Sequence, residues 1–497
     1  MPDTVLIVLR LVALAVLAGV AWPALRMAAS TAFRNRLGAH PGLPHLILAA
    51  IVGYAGVVLA LAMAPLPLLA VAAAAALVVA GLAHWRARPD FGRRRGLPPG
   101  SLAATSLALV EDHRHLLDQA RLHGPVFKIG RFGQKIVCVQ GLERCNALLR
   151  RHGDDLVSGG LPFDRLIPGG FIRYMPPDRH ARYRRLLAGA LTPELVRAGR
   201  PLMAEEAALA LAAMAGQSTA TGIDPAPHLL RYTTRSMLRL FLGLGRDDPM
   251  LGKALALYPV IASANLSRRT RKRVSAALAT LNGLFAEAIR RSASGSSPSL
   301  AAGLVAARTD APDDPTLLGN LVYMIETGGR DTADLLLWVL KELADHPDQA
   351  AELGRTADPG LARRIVLETL RREQSEYVVR RVMRPITVEG YTVPAGWLLR
   401  FCVRESHRDP AVFADPERFD PDRFLGDPPR ANAYAPFGLG VHTCLGRSLV
   451  LALATDFLTP LGGGHDWRVT ADGPRVFGSF HWMPSRRFRL AFSSRAA

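Results

Sequence analysis

Cysteine is scarce in this chain: there are four in 497 residues, at 138, 145, 402 and 444, with no CxxC pair and no zinc-finger spacing. That scarcity excludes a disulfide scaffold and a structural zinc site, and points to a reducing compartment. Lysine stands only at 128, 135, 253, 272 and 341, so arginine carries most of a formal net charge of +19. Between Arg36 and Arg86 there is no Asp, Glu, Lys or Arg. Internal repeats, a Rossmann glycine fingerprint and a P-loop are also missing, which removes solenoids and the common nucleotide-binding folds.

What is present begins with charge and length. The hydrophobic fraction of 49% suffices for one large core plus membrane segments. Residues 1–90 hold six Arg and two Asp, a net +4, which leaves +15 for the remainder. A basic surface suits nucleic acid, anionic lipid or an acidic protein, and no nucleic-acid motif supports the first. The run Arg268 to Arg273, broken only by Thr270, reads as a solvated helix face or as membrane-surface contact.

The front of the chain is apolar. Leu43 to Ala83 is long enough for two passes of about 20 residues each, with Pro65 and Pro67 at the turn. Leu6 to Leu25 offers a third, in which Arg10 must reach an interface or a partner. The expected spans are therefore about 6–25, 44–63 and 67–84, two to three in number. The two-span version is a hairpin preceded by an interfacial helix. Asp3 with no basic residue at the front argues against a cleaved signal. Arg26, Arg34 and Arg36 follow the first span, and Arg86, Arg88, Arg93, Arg94 and Arg95 follow the third. The positive-inside rule puts both flanks in the cytoplasm, giving a multi-pass anchor over 1–92 and a cytoplasmic domain over 93–497. Leu97-Pro98-Pro99-Gly100 forms a stiff exit between them.

The domain over 93–497 reads as mainly α with a minor β region. A helix is expected over 102–122, then a strand hairpin from Pro125–Ile129 and Lys135–Gln140, then Ala/Leu-rich helices interrupted by a loop at 292–299. Leu317 to Leu343 is an apolar helical run broken by Thr327-Gly328-Gly329-Arg330-Asp331-Thr332. Two adjacent glycines cost roughly 1 kcal/mol each relative to Ala, yet allow close approach of a flat cofactor and local widening of the helix. Thr332 can bond back to Gly328 and loosen that turn. Read alone, the hexapeptide also suits a kinked core helix with satisfied polar groups. Glu326 and Arg330 have three open readings: a pair on the helix, pocket lining, or side chains turned away. Glu368 and Arg371 share a face of a helix over 361–372, and a helix over 449–461 is followed by short strands.

The most specific stretch is Phe437-Gly438-Leu439-Gly440-Val441-His442-Thr443-Cys444-Leu445-Gly446. One cysteine sits in a glycine-rich turn that opens into an apolar helix. Gly440 and Gly446 let the backbone curl around the sulfur, amides at a helix N-terminus favour the ionised thiol, and Phe437 is placed to cover it. A buried cysteine in a helix cap is the alternative. The stretch resembles the haem loop of the cytochrome P450 superfamily, the haem-thiolate monooxygenases, whose axial cysteine pushes electron density toward bound oxygen. The likeness runs from about Leu97 to the C-terminus, with its motifs in family order.

The resemblance implies a P450 fold, haem as cofactor, O2 as co-substrate and NAD(P)H as indirect electron source. It makes Cys444 the iron ligand. It implies that Asp331 connects to a proton supply and that Thr332, beside the Gly328-Gly329 groove, steadies iron-bound peroxide so that protons reach the distal oxygen. His180 and Arg184, in His180-Ala181-Arg182-Tyr183-Arg184, match early haem-propionate positions, His442 matches another, and Arg380 or Arg381 supplies a further contact. Glu368 and Arg371 match the structural ExxR pair, with Arg418 of Pro416-Glu417-Arg418-Phe419 as third member. No flavin or iron-sulfur domain is recognised, so the implied partners are an acidic ferredoxin or flavodoxin-type donor with its reductase, an apolar small molecule or lipid as substrate, and membrane lipid. Side chains around Tyr377 to Val379 and before Gly328 are expected to line the pocket. Within the same fold, the alternatives are a peroxygenase or isomerase; outside it, a non-catalytic haem-binding membrane sensor.

Overall fold

Two helices of this chain begin where a proline's fixed φ and an aspartate's side chain satisfy the first turn. Asp314 accepts from the amides of Thr316 and Leu317 ahead of Pro315, and Asp358 from those of Gly360 and Leu361 ahead of Pro359. The computed structural model describes residues 3–29, 53, 56, 60, 63, 65–103, 108–131, 133–158, 167–262, 268–293, 298–307, 311–373, 378–426, 432–477 and 481–495. The longer helices are α1 (Asp3–Ala29), α2 (Leu66–Ala87), α3 (His115–His123), α4 (Leu142–His152), α5 (Pro177–Ala190), α6 (Arg200–Gln217) and α7 (Ala226–Leu242). They continue with α8 (Pro249–Ala262), α9 (Arg268–Ser292), α10 (Pro315–Asp345), α11 (Pro347–Thr356), α12 (Pro359–Arg372) and α13 (Arg447–Gly464).

The strands are β1 (Val126–Arg131), β2 (Gln134–Val139), β3 (Leu156–Ser158), β4 (Val378–Val382), β5 (Ile386–Val388), β6 (Tyr391–Val393), β7 (Leu398–Phe401), β8 (His465–Ala471), β9 (Val476–Phe477), β10 (Trp482–Met483) and β11 (Arg489–Ser494). The expected β1–β2 hairpin is present, but it is the edge of a five-stranded sheet in the order β1-β2-β7-β4-β3. β2 and β7 pair in parallel, and β4 pairs antiparallel with β7, setting Val379 opposite Arg400 and Arg380 opposite Leu399. Alternation along β4 therefore sends Arg380 and Arg400 to opposite faces of the sheet. The fold is mainly α with a minor β region, as its sequence indicates.

The core is built around α10, which packs on α7, α9, α12 and α13. Its apolar side chains Leu321, Val322, Ile325, Leu336 and Val339 are at most 1% exposed, so a helix this long is fixed by burial on several sides. The single helix expected over 102–122 differs. A short helical turn, Ala108–Glu111, is separated from α3 by Asp112, whose Oδ1 accepts from the Arg114 amide at 2.8 Å. That side chain closes a local turn in place of the helix. The arginine-rich run opens α9, where Lys272 and Arg273 are exposed.

At the front, α1 covers the first expected span and packs on α2 through Ala13, Leu69 and Ala73. Only α2 is long and apolar enough to cross a membrane among the described residues, and most of its side chains face outward. The expected span over 44–63 lies almost wholly outside the described residues, as do Arg34 and Arg36. Among the described residues, one helix of the expected two to three spans qualifies. The proline-rich exit is docked onto the sheet. Lys128, fully buried, donates from Nζ to the carbonyls of Pro89 and Pro98 at 3.0 and 2.7 Å, and its amide donates to Pro99 O at 2.7 Å. Gly100 has φ +112, and a Cβ there would lie 2.2 Å from Lys128 O, so glycine is required for this close approach.

Candidate active site

The cysteine loop is shaped by two left-handed glycines, Gly438 at φ 85° and Gly440 at φ 66°. They fold the backbone so that the Cys444 amide donates to Phe437 O at 2.9 Å. α13 starts immediately after Gly446, which places the sulfur at a helix N-terminus. Cys138, Cys145 and Cys402 are buried, whereas the Cys444 side chain is exposed. Burial pushes the Cys145 thiol up to about 12 and the Cys402 thiol higher than its ordinary value, with a hydrogen bond to Cys138 as the leading cause there. Cys444 is thus the cysteine positioned to offer a thiolate. Phe437, half-buried, packs on the core with the Arg447 guanidinium 5.9 Å from its ring.

Around the loop four basic groups converge from α5, β4 and the loop itself. The rings of His180 and His442 lie 4.1 Å apart, and Arg184 Nη2 donates to Thr443 O at 2.7 Å. His442 is pushed down to about 3, by burial first and then by Arg380, His180, Arg173 and Arg184. Its Nδ1 is buried with no hydrogen-bond partner among the described residues, while Nε2 stands 3.5 Å from Ser158 Oγ. A basic cluster holding an orphaned imidazole nitrogen beside an accessible thiol fits a haem: the sulfur for iron, the cations for the two propionates. The choice between adjacent arginines is resolved by strand alternation. Arg380 is 4% exposed and acts on both histidines, whereas Arg381 is exposed and reaches Gly396 O at 3.4 Å. Arg381 is therefore corrected to a surface residue. Arg173, before α5, joins the cluster without having been foreseen; it carries no motif.

On α10 the fully buried Thr332 donates from Oγ1 to Gly328 O at 2.7 Å, the back-bond expected from its spacing. A Cβ on Gly328 would meet Met237 Cε at 3.3 Å and one on Gly329 would meet Thr234 Oγ1 at 3.1 Å, both on α7. Thr233 Oγ1 also donates to Gly329 O at 2.7 Å. The missing side chains permit the close approach of α7. Asp331 is exposed and shares one face with Asp334 and with His481 of the tail, their polar atoms all within 4.8 Å of one another. Glu326 and Arg330 pair along the helix at 2.9 Å.

Beneath the loop, Arg371 and Glu368, both fully buried, form two parallel bonds of 2.7 and 2.8 Å. Arg371 also donates to the carbonyls of His407 and Pro416, and the Asp420 amide donates to Glu368 at 3.0 Å. The third side chain is Arg423, not Arg418. Arg423 Nε approaches Glu368 Oε1 at 3.3 Å, while Arg418 is exposed and contributes only its carbonyl. The sequence carries Pro-x-Arg-Phe twice, at 416–419 and 421–424, and only the second arginine faces inward. His407 connects this network to the loop by accepting from the Ala435 amide at its Nε2, 2.9 Å away. Tyr377 lies outside the described residues, and Val379 packs against the cluster of Cys138 and Cys402.

Residues 360–455 match the family model described as Cytochrome P450. Over 424 residues the chain is 26% identical to abscisic acid 8'-hydroxylase 2 of Oryza sativa subsp. indica, covering 76% of this chain and 83% of that one. It is 24% identical over 430 residues to ent-kaurenoic acid oxidase 1 of Hordeum vulgare, covering 76% and 85%. Among solved structures, retinoic acid bound cyanobacterial CYP120A1 superposes with a TM-score of 0.64 at 22% identity, over 80% of this chain and 99% of that chain. CYP109B1 from Bacillus subtilis gives 0.63 at 20%, over 76% and 99%. At these identities the structures establish the shared fold.

Proposed function

Since this chain belongs to the cytochrome P450 superfamily, and is a haem-dependent monooxygenase using O2 and electrons from a redox partner, we propose that it oxidises an apolar small molecule carrying a carboxylic acid. Abscisic acid and ent-kaurenoic acid appear in the names of the relatives, and retinoic acid in that of a structural neighbour. The observation that carries the catalytic reading is the meeting of an accessible Cys444 with the cluster of His180, Arg184, Arg380 and His442.

When bound, haem supplies the oxygen chemistry: O2, two electrons and two protons convert a C–H bond into C–OH and water. The chain's residues hold and regulate it. Cys444 ligates iron from the N-terminal end of α13, and Phe437, Gly440 and Gly446 shape the loop around the sulfur. His180, Arg184, Arg380 and His442 hold the propionates. Gly328, accepting from Thr332, and Gly329, held by Thr233, set the local shape of α10. Asp331 gathers protons at the solvent side and Thr332 positions them at the buried side. Glu368, Arg371 and Arg423 hold the segments beneath the loop. α2 tethers the protein to a membrane, in a multi-pass anchor with the catalytic domain facing the cytoplasm. Exposed Arg150, Arg151 and Arg447 near the loop suit an acidic ferredoxin or flavodoxin-type donor.

The test is the carbon monoxide difference spectrum of the reduced protein and of Cys444→Ala. A thiolate-type Soret band that disappears in the variant is expected; the same spectrum in both removes the sulfur from the reaction. Reconstitution with ferredoxin and its reductase should yield oxygen-dependent product. Peroxide-only turnover would indicate the peroxygenase, and binding without turnover the sensor.

A further inference from the structure

From the last turn of α2 onward the chain places five arginines in ten residues, Arg86, Arg88, Arg93, Arg94 and Arg95. The one acid among them is Asp90, so five positive charges less one negative leave +4 over residues 85–100. All five side chains are exposed, and among the described residues none of them forms an ion pair. Exposed arginines elsewhere find carboxylates of the chain, as Arg121 does with Asp118 and Arg384 with Asp155. The charge beside α2 is left for a group outside the protein.

These arginines sit on a folded and docked segment. Trp85, in the last turn of α2, packs edge to face on Phe91 with ring centroids 4.7 Å apart, so the chain folds back on the helix end. Arg93–Arg95 then form a 3₁₀ turn bracketed by two left-handed glycines, Gly92 and Gly96, each at φ 77°. A Cβ on Gly92 would lie 2.3 Å from Leu97 Cδ1, so this turn requires glycine. The Leu97 amide donates back to Gly92 O at 3.2 Å, and the Thr392 amide of β6 donates to Gly96 O at 2.7 Å. With Pro89 and Pro98 held by Lys128, the turn is fixed to the catalytic domain on one side and to the end of α2 on the other. Keeping the flank of a membrane span in the cytoplasm needs only nearby basic residues. It needs no docked turn.

The chemistry of the surroundings names the partner. Leu82 and Trp85 of α2 are each 53% exposed beside the basic turn, and tryptophan is a residue of the headgroup layer. Apolar side chains next to unpaired arginines match a bilayer surface, where acyl chains lie beside phosphates. A guanidinium pairs a phosphate through two parallel N–H bonds, and basic clusters next to a membrane span attract anionic lipid. We propose that Arg93–Arg95, with Arg86 and Arg88, bind the phosphates of anionic phospholipid headgroups and so seat the catalytic domain on the bilayer. The inference rests on the reading of α2 as a membrane helix.

Electron paramagnetic resonance of the full chain in phosphatidylcholine vesicles, with a trace of spin-labelled phosphatidylglycerol or phosphatidylcholine, tests it. The anionic lipid is expected to associate roughly threefold to fivefold more strongly than the neutral one, and the preference should shrink in about 0.5 M salt. Replacing the turn by Arg93→Gln, Arg94→Gln and Arg95→Gln should remove most of it, with Arg86 and Arg88 retained and thermal melting to verify folding. Lys128→Met keeps all five charges but loosens the strap, and should lower the preference too. Equal association of the two lipids with the wild type overturns the proposal, as does a preference unchanged in the triple variant. A preference unchanged in Lys128→Met would assign the attraction to charge without a built site, which also overturns it. Equal association of the two lipids, with an acidic ferredoxin binding the wild type and not the triple variant, would give the turn to a protein partner, with the same result. A chain that enters phosphatidylcholine vesicles without preferring phosphatidylglycerol refutes only the headgroup site. One that stays out of them, yet floats with phosphatidylglycerol vesicles through these three arginines, refutes only the membrane-helix reading.

Discussion

Two side chains one position apart differ most in consequence. Arg380 is buried among the histidines and Arg381 is exposed, because strand residues alternate faces. Arg380→Gln should weaken haem retention several-fold in a transfer assay to apomyoglobin, whereas Arg381→Gln should leave it unchanged. Thr332 presents a second test at this scale. Its hydroxyl is committed to Gly328 O, and Thr332→Ala removes both that bond and the hydroxyl of the fully buried residue that closes the hexapeptide. Proton positioning contributes roughly 10²-fold or more to rates. Product formed per O2 consumed is expected to fall steeply, with hydrogen peroxide released in its place and the carbon monoxide spectrum retained.

At the scale of elements, α12 is tied to the segment before the cysteine loop by charge and by one histidine. Arg423→Ala leaves part of the Glu368 carboxylate without its partner, at a cost of about 1–3 kcal/mol, while Arg418→Ala should be close to neutral; urea unfolding distinguishes them. Glu368→Ala should cost about 3–5 kcal/mol, because Arg371 would be left charged and buried. His407 adds a pH dependence. Burial first, then Arg371 and Arg408, push it down to about 3, and its Nε2 must stay unprotonated to accept from Ala435. The unfolded chain takes up this proton near pH 6.5 and the folded chain resists it until about 3. Stability therefore falls as pH drops through that window, by roughly 1.4 kcal/mol per unit. His407→Asn, which keeps an acceptor but does not titrate, should flatten the difference between unfolding at pH 6.5 and pH 5 by about 2 kcal/mol.

For the whole molecule the question is how the anchor meets the catalytic domain. The expected boundary after residue 92 cuts through a docked strap, since Pro89 O accepts from both Lys128 Nζ and the Gly100 amide. We place the boundary before Pro89. A chain begun at Pro89 should melt about a degree or two above one begun at Arg93, and both should stay in the supernatant after membrane fractionation, while the full chain sediments and is released only by detergent. Arg93, Arg94 and Arg95 are exposed already, so Lys128→Met should speed tryptic cleavage after them by loosening the backbone of the same strap.

The sequence by itself determined the chemistry that depends on spacing along one element. Cys444 between two glycines, Thr332 four residues after Gly328, and Glu368 three before Arg371 each form their contacts within a single turn or helix, so local pattern sufficed to name them. It also indicated the class of fold, because helical periodicity dominates most of the chain. Tertiary structure decided whatever depends on which surface a residue meets. It sent Arg380 inward and Arg381 outward, chose Arg423 over Arg418 from two identical tetrapeptide frames, and turned Gly328 and Gly329 toward α7. It alone brought Asp331 and His481 together from segments far apart in the chain. Such pairings are fixed by packing across long loops, and a one-dimensional pattern holds no record of which distant face will close upon it.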